Sequence, residues 1–172
     1  MNIVAIVPAR GGSIGLPDKN ILPLDNHPLV SYSIAAGLQS PPIDRVICST
    51  DSSKIAKIAK EYGADVPFLR PAEYAQDFSN DIEAFLHAIE WLELNENYSP
   101  DLIAQLRPTS PIRFIEDIEE GINKMLGEDN ADSLRGVSVP MTSPYKMWEI
   151  SKDKRLIPIL KIDNIKEPYN MP

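Results

Sequence analysis

Short β-branched runs alternate with amphipathic stretches along most of this chain, and few folds accommodate that order. Ile3–Val7 and Val46–Ser49 are apolar without alternation, so each reads as a strand buried on both faces. Between them, after a turn at "DNHP", Leu29–Leu38 carries small and apolar residues at helical spacing. "SSKIAKIAKEYG" puts Ile55, Ile58 and Ala59 on one helical face and ends at Gly63, with Asp51 or a neighbouring serine available as its cap.

The order then repeats. "ADVPFL" reads as a brief strand, and Arg70 to Asn80 as irregular. "DIEAFLHAIEWLEL" is predicted to be a helix burying Ile82, Phe85, Leu86, Ile89 and Leu92. "DLIAQL" is a further strand ending at "RPTSP", Glu116–Leu126 a further helix, and "DSLRGVSV" a return to strand. Such alternation predicts an α/β fold: three layers, a mostly parallel sheet with helices on both faces. Ligands of such sheets lie beyond the carboxyl ends of the strands.

The last quarter has a different pattern. Residues 141–160, around "SPYKMWEISKDKRLIPIL", read as a projecting β-hairpin with more aromatic and aliphatic residues than a free hairpin needs. Residues 161–172 have no period. The expectation is one domain over residues 1–172 whose sheet is still open at the end, as in a C-terminally shortened chain.

Composition narrows the partners. A net charge of −8 disfavours nucleic acid and anionic membranes, so a phosphorylated ligand needs a local cluster of cations. The single cysteine, Cys48, lies in an apolar run and reads as a strand residue; it fits a reducing compartment. With no signal peptide read at the start and no stretch of membrane-spanning length, the expected location is the cytoplasm.

The first strand runs into "VPARGGSIGLPDKN", residues 7–20. Two prolines and three glycines shape this bend, while Arg10 and Lys19 charge it. Backbone N–H groups around Gly11 and Gly12 are expected to cradle phosphate oxygens between those cations. The spacing is not that of a P-loop, because Gly15 precedes Leu16-Pro17 rather than Lys-Ser/Thr. Nor does it suit a dinucleotide fingerprint, since Pro17 and the long gap to the first helix interrupt it.

The loop, written "PARGGSxGxPxKN", resembles that of the acylneuraminate cytidylyltransferases, the CMP-sialic acid synthetases. The resemblance continues in order through "PLVSYSI", "VICSTDS", "ADVPFLRPAE", "LHAIEWL", "RPTSPIR" and "SPYKMW". It implies a Rossmann-like fold of the nucleotide-diphospho-sugar transferase type with a β-hairpin dimerisation arm. It also implies an activity: CMP passes from CTP to a sialic or related nine-carbon nonulosonic acid, and pyrophosphate leaves with the help of Mg²⁺. A homodimer is expected, and neither nucleic acid nor membrane is.

On the same resemblance Arg10 and Lys19 are the catalytic cations, with Lys19 nearest the moving charge. The nucleotide side comprises Ala9, Arg10, Gly11, Gly12, Ser13, Lys19, Asn20, Arg70, Ser79 and Asp81; the sugar side comprises Arg107 and Lys146. The residues have plainer readings too. Arg70 can pair with Glu73, Asn20 can close an Asx turn, Asp81 can be a helix N-cap, and Lys146 can be a solvated hairpin lysine. His87 reads as a structural helix residue with a hydrogen bond, and Trp91 and Trp148 as packing residues. Asp51 is an acidic candidate, better read as a helix cap.

Three positions depart from the family pattern. Ile14 replaces a usual lysine, Arg107 replaces a usual glutamine, and Asp81 stands where a serine is common. The family's late acidic pair, which binds the metal, falls past Pro172, leaving the metal ligands unknown. A transferase for another base or a sugar phosphate, and a non-catalytic nucleotide-binding or interaction protein, are the alternatives.

Overall fold

A computed structural model describes residues 1–13, 15–76, 78–139, 141, 143, 145 and 147–160. Two compact units divide the chain, Met1–Leu134 and Arg135–Pro172.

The first unit is organised by β1 (Ile3–Pro8), which lies between β4 (Arg45–Ser49) and β5 (Leu102–Gln105), parallel to both. Ile3 to Val7 are all buried, as a strand covered on both faces requires. Alternate residues of β1 serve different cores. Ala5 and Val7 meet Val30 and Ile34 of α1 (Leu29–Gln39) and Ile55 and Ala59 of α2 (Ser53–Glu61). Val4 and Ile6 meet Ala88 and Leu92 of α3 (Asp81–Glu96). Ile118, on α4 (Ile115–Leu126), joins the α1–α2 side. The expected three layers are present.

Local chemistry sets the ends of these elements. Before α1, a minimal hairpin pairs β2 (Pro23–Leu24) with β3 (His27–Pro28). Asp25 and Asn26 both adopt positive φ there, as a tight hairpin turn demands. The Ser52 hydroxyl caps α2 by accepting from the Ile55 amide, so the neighbouring serine, not Asp51, is the cap. Gly63, at φ +92°, reverses the chain so that the Ala64 amide reaches the Ala59 carbonyl at 3.0 Å.

Two expected strands are not formed. In "ADVPFL" only Asp65 joins the sheet: its amide bonds Val46 O at 2.8 Å and its carbonyl takes the Cys48 amide at 2.9 Å. Pro67 has no N–H with which to continue the ladder. Residues 132–139 make no strand either; Val137 and Val139 stand exposed, with no neighbouring strand to pair them among the described residues.

Helix α3 turns a different face inward than its large side chains suggest. The buried stripe is Ala84, Ala88 and Leu92, flanked by half-buried Phe85 and Trp91, while Ile82 and Leu86 are half or more exposed. Alanines let the helix axis approach the sheet, and that close approach fixes the rotation of the helix. Asn80 is its N-cap residue, and Glu83 returns a bond to the Asn80 amide at 3.1 Å, so Asp81 is the first helical residue and not the cap.

Cys48 is fully buried in β4, and burial pushes its thiol up to about 12, which suits a packing residue and not a nucleophile. Among the described residues no helix is long and apolar enough to cross a membrane. In the second unit, β6 (Trp148–Ile150) pairs antiparallel with β7 (Leu156–Pro158), which gives the expected hairpin.

Leu92→Ala should cost about 2–5 kcal/mol in chemical denaturation, the range for a fully buried leucine. Ile82→Ala should stay within about 0.5 kcal/mol. Equal losses at the two positions would mean that the helix is rotated.

Candidate functional site

Because the three strands are parallel, the loops that follow them gather at one edge. The backbone there is stitched together: the Ala9 amide bonds Ser49 O, the Leu106 amide bonds Ile6 O, and the Arg70 amide bonds Thr50 O. Above this edge opens a cleft of about 300 Å³. Into it face Arg10, Ser13, Lys19 and Asn20 from the first loop, Arg70 and Ser79 from the third loop (residues 70–80), Asp81 from the first turn of α3, and Arg107 from the loop after β5.

The first loop is held by side chains at both ends. Asn20, nearly buried, donates from Nδ2 to the Arg10 carbonyl at 2.9 Å. This is a clamp across ten residues, not the Asx turn that its sequence position allows. Asp51 accepts the Gly11 amide at 2.9 Å. A Cβ on Gly11 would lie 2.9 Å from the Ser52 Cβ, closer than packed carbons come, so only glycine admits this approach. Asp51 therefore anchors the loop instead of capping α2.

That anchoring changes the expected phosphate cradle. The Ala9 amide is spent on Ser49 O, the Gly11 amide on Asp51, and the Ser13 amide on Gly11 O at 3.1 Å. Ala9 itself is fully buried in the core and does not line the cleft. Gly11 and Gly12 do not line it either. The positive character of the cleft comes from side chains: Arg10, Lys19, Arg70 and Arg107 line it, against Asp81 as its carboxylate among the described residues.

Arg70 is the most enclosed of these cations. Only 7% exposed, it donates from Nη2 to Ser49 O at 3.2 Å and from Nη1 to Tyr74 O at 3.4 Å. It makes no ion pair with Glu73 among the described residues. Burial pulls its guanidinium below the usual arginine range, and the nearby Asp51 charge opposes this.

The third loop folds around that arginine. A 3₁₀ turn, Ala72–Tyr74, brings the Tyr74 carbonyl to Arg70. The Ser79 hydroxyl closes the loop, donating to Glu73 O and accepting the Gln76 amide, both at 3.1 Å. Tyr74, Gln76, Asn80, Pro108 and Thr109 also line the cleft, though the sequence did not single them out. Proximity to Arg70 and to "RPTSP" was the available signal.

At the far end Asp81 and Arg107 meet. Arg107 Nη2 bonds Asp81 Oδ2, and Gln105 Nε2 donates to the same oxygen at 2.7 Å. Lys146 lies outside the described residues. Asp51 and Asp81 are each engaged, and among the described residues no group of three His, Cys, Asp or Glu side chains could hold a metal ion.

His87 stands behind the third loop. Its ring meets Phe68 edge-on at 4.7 Å and Tyr74 at 5.7 Å, and Nδ1 has no hydrogen-bond partner among the described residues. The contacts that hold this side of the ring are aromatic packing.

The family model described as cytidylyltransferase matches residues 4–163. The chain belongs to the cytidylyltransferase family. It is 38% identical over 147 residues to a CMP-N,N'-diacetyllegionaminic acid synthase of Legionella pneumophila, covering 86% of this chain and 60% of that protein. Against an N-acylneuraminate cytidylyltransferase of Escherichia coli it is 43% identical over 120 residues, 70% of this chain and 27% of that one. A pseudaminic acid cytidylyltransferase of Campylobacter jejuni is 34% identical over 126 residues, covering 73% and 54% respectively.

Among solved structures, a CMP:2-keto-3-deoxy-manno-octonic acid synthetase complexed with CTP superposes with a TM-score of 0.64 at 18% identity, covering 76% of this chain and 49% of that one. A cytidylyltransferase from Leptospira borgpetersenii gives 0.60 at 23%, covering 76% and 51%. The fold is that of the α/β nucleotidyltransferases. The chain spans 60% or less of the length of each of these relatives.

His87 carries a pH signature. Burial first, and then the Arg70 charge, hold its pKa below the ordinary 6.5. The unfolded chain therefore takes up this proton more readily, and stability falls as pH drops below about 6.5. In thermal melts His87→Phe should match the wild type at pH 8 and lose less on acidification to pH 5. A parallel decline of the two proteins would exclude His87 as the cause.

Proposed function

We propose that this chain forms the nucleotide end of an enzyme that transfers CMP from CTP to a nonulosonic acid and releases pyrophosphate. The observation that carries the reading is the cleft at the carboxyl edge of the sheet, where Arg10, Lys19 and Arg70 converge on a chain of net charge −8. Such convergence is costly without an anionic ligand and suits a triphosphate.

In this reading Arg10 and Lys19, on the first loop, hold the triphosphate. Lys19 meets the charge that builds on the departing pyrophosphate. Arg70, fixed from below, orients the phosphates by its position, since its guanidinium cannot swing. Ser13, Asn20 and Ser79 border the nucleoside, while Arg107 and Lys146 serve the sugar acid. The sugar hydroxyl oxygen forms the new bond to the α-phosphorus as the bond to pyrophosphate breaks, and the hydroxyl proton passes to water. Positioning and charge stabilisation supply the catalysis. Mg²⁺ belongs to the proposal as the counter-ion that arrives with CTP. Among the described residues no group of three His, Cys, Asp or Glu side chains would hold it. We place the reaction in the cytoplasm, where CTP is available.

CTP should raise the melting temperature of this chain more than GTP, UTP or ATP does. Lys19→Ala should weaken CTP binding about ten- to a hundredfold by calorimetry, the loss of one charge-assisted contact. Pyrophosphate release with CTP and a panel of nonulosonic acids tests the transfer itself. Indifference to every nucleotide would overturn the proposal.

A homodimer is part of the same reading. The hairpin leaves Ile150, Leu156 and Ile159 exposed, apolar surface suited to a second subunit. Light scattering should give twice the chain mass, and Ile150→Lys with Leu156→Lys should give the monomer. A monomeric wild type would refute this part alone.

A further inference from the structure

We propose that Asp81 is an internal stand-in for the ligand anion at Arg107: it occupies the guanidinium while the cleft is empty and yields it to an acidic group of the incoming sugar. This rests on the nucleotidyl-transfer reading above and concerns the sugar end of the same cleft.

Asp81 is the acidic side chain lining the cleft among the described residues, and it sits on Arg107, not on the deeper cations. Both partners are roughly half exposed, at 40% and 52% for their side chains. An ion pair in such a setting is weak enough for an arriving anion to displace.

The surroundings are built for exchange. Arg113 donates from Nη2 to the carbonyls of Arg107, at 2.6 Å, and of Ser110, so the loop backbone is braced while the Arg107 side chain reaches out from it. Asp81 has a second place to rest. It is in the first turn of α3, where the helix dipole favours negative charge, and Gln105 Nε2, which donates to the same oxygen at 2.7 Å, remains as a partner when Arg107 departs. Displacing the carboxylate therefore leaves no stranded charge.

The consequence is selectivity. A neutral ligand group cannot outbid the resident carboxylate, whereas a carboxylate can. Asp81 thus makes Arg107 respond to acids specifically, at the expense of some affinity. Positions 81 and 107 act as one device, since each supplies half of the pair.

The test uses the whole chain and follows the Arg107 side-chain Nε–H by NMR, assigned from its loss in Arg107→Gln. N-acetylneuraminate should shift this signal, and its methyl ester should not. Asp81→Asn should tighten the acid by about fivefold, the value of one exposed ion pair, and give the ester a weak binding signal that the wild type lacks. Measured by calorimetry, that gain should vanish when Asp81→Asn is made in the Arg107→Gln background. An unchanged or weaker affinity in Asp81→Asn, an ester that binds as the acid does, or a silent Arg107 signal would each overturn the exchange. A separate CTP titration keeps the two readings apart. Acid binding without CTP binding would sink the proposed cytidylyl transfer alone, and CTP binding with no response at Arg107 would sink the stand-in alone.

Discussion

A full positive charge buried beneath the strand ends organises this site. Arg70 is placed where water is nearly excluded, and the protein meets its two Nη groups while Nε has no partner among the described residues. The Ser49 carbonyl meets it from the sheet and the Tyr74 carbonyl from the third loop, which explains why that loop curls back instead of running on to α3. Asp51 supplies the opposing charge, and the same carboxylate holds the Gly11 amide. Arg70, Asp51 and the first loop are one electrostatic unit. The position of Arg10 depends on it through Gly11.

The fold was legible in the sequence because buried parallel strands leave a plain signature. Ile3–Val7 and Val46–Ser49 needed no knowledge of tertiary structure, and neither did the helices that alternate with them. The failures share a cause. Hydrophobicity ranks Ile82 and Leu86 above Ala84 and Ala88, yet distance to the sheet favours the alanines, and a sequence does not display distance. "ADVPFL" was apolar enough for a strand, but a strand also needs donors, and Pro67 withholds one.

The site was legible to a different degree at each layer. Arg10 and Lys19 stand out as cations in a glycine-rich loop after a strand, Arg70 and Arg107 only through the family resemblance, and the four converge. Their partners were harder, because hydrogen bonds between distant segments leave no periodic trace. Asn20 clamping Arg10, Asp51 anchoring Gly11 and Asp81 joining Arg107 connect positions 10, 40 and 26 residues apart. Tyr74 and Gln76 went unseen for the same reason: they matter only because their loop closes over Arg70.

The use to which the glycine loop puts its amides bears on how such a cleft works. Amides spent on Ser49, Asp51 and the loop itself fix the backbone before any ligand arrives. The ordering entropy of the loop is then settled in folding and not charged against binding. Under the proposed transfer, recognition falls to cationic side chains raised from that frame, with Arg70 fixed in place and Arg10 and Lys19 reaching in from the first loop. Gly11 is needed for how closely it lets the frame approach Ser52 at the head of α2, and the arginines and lysine for what that frame presents.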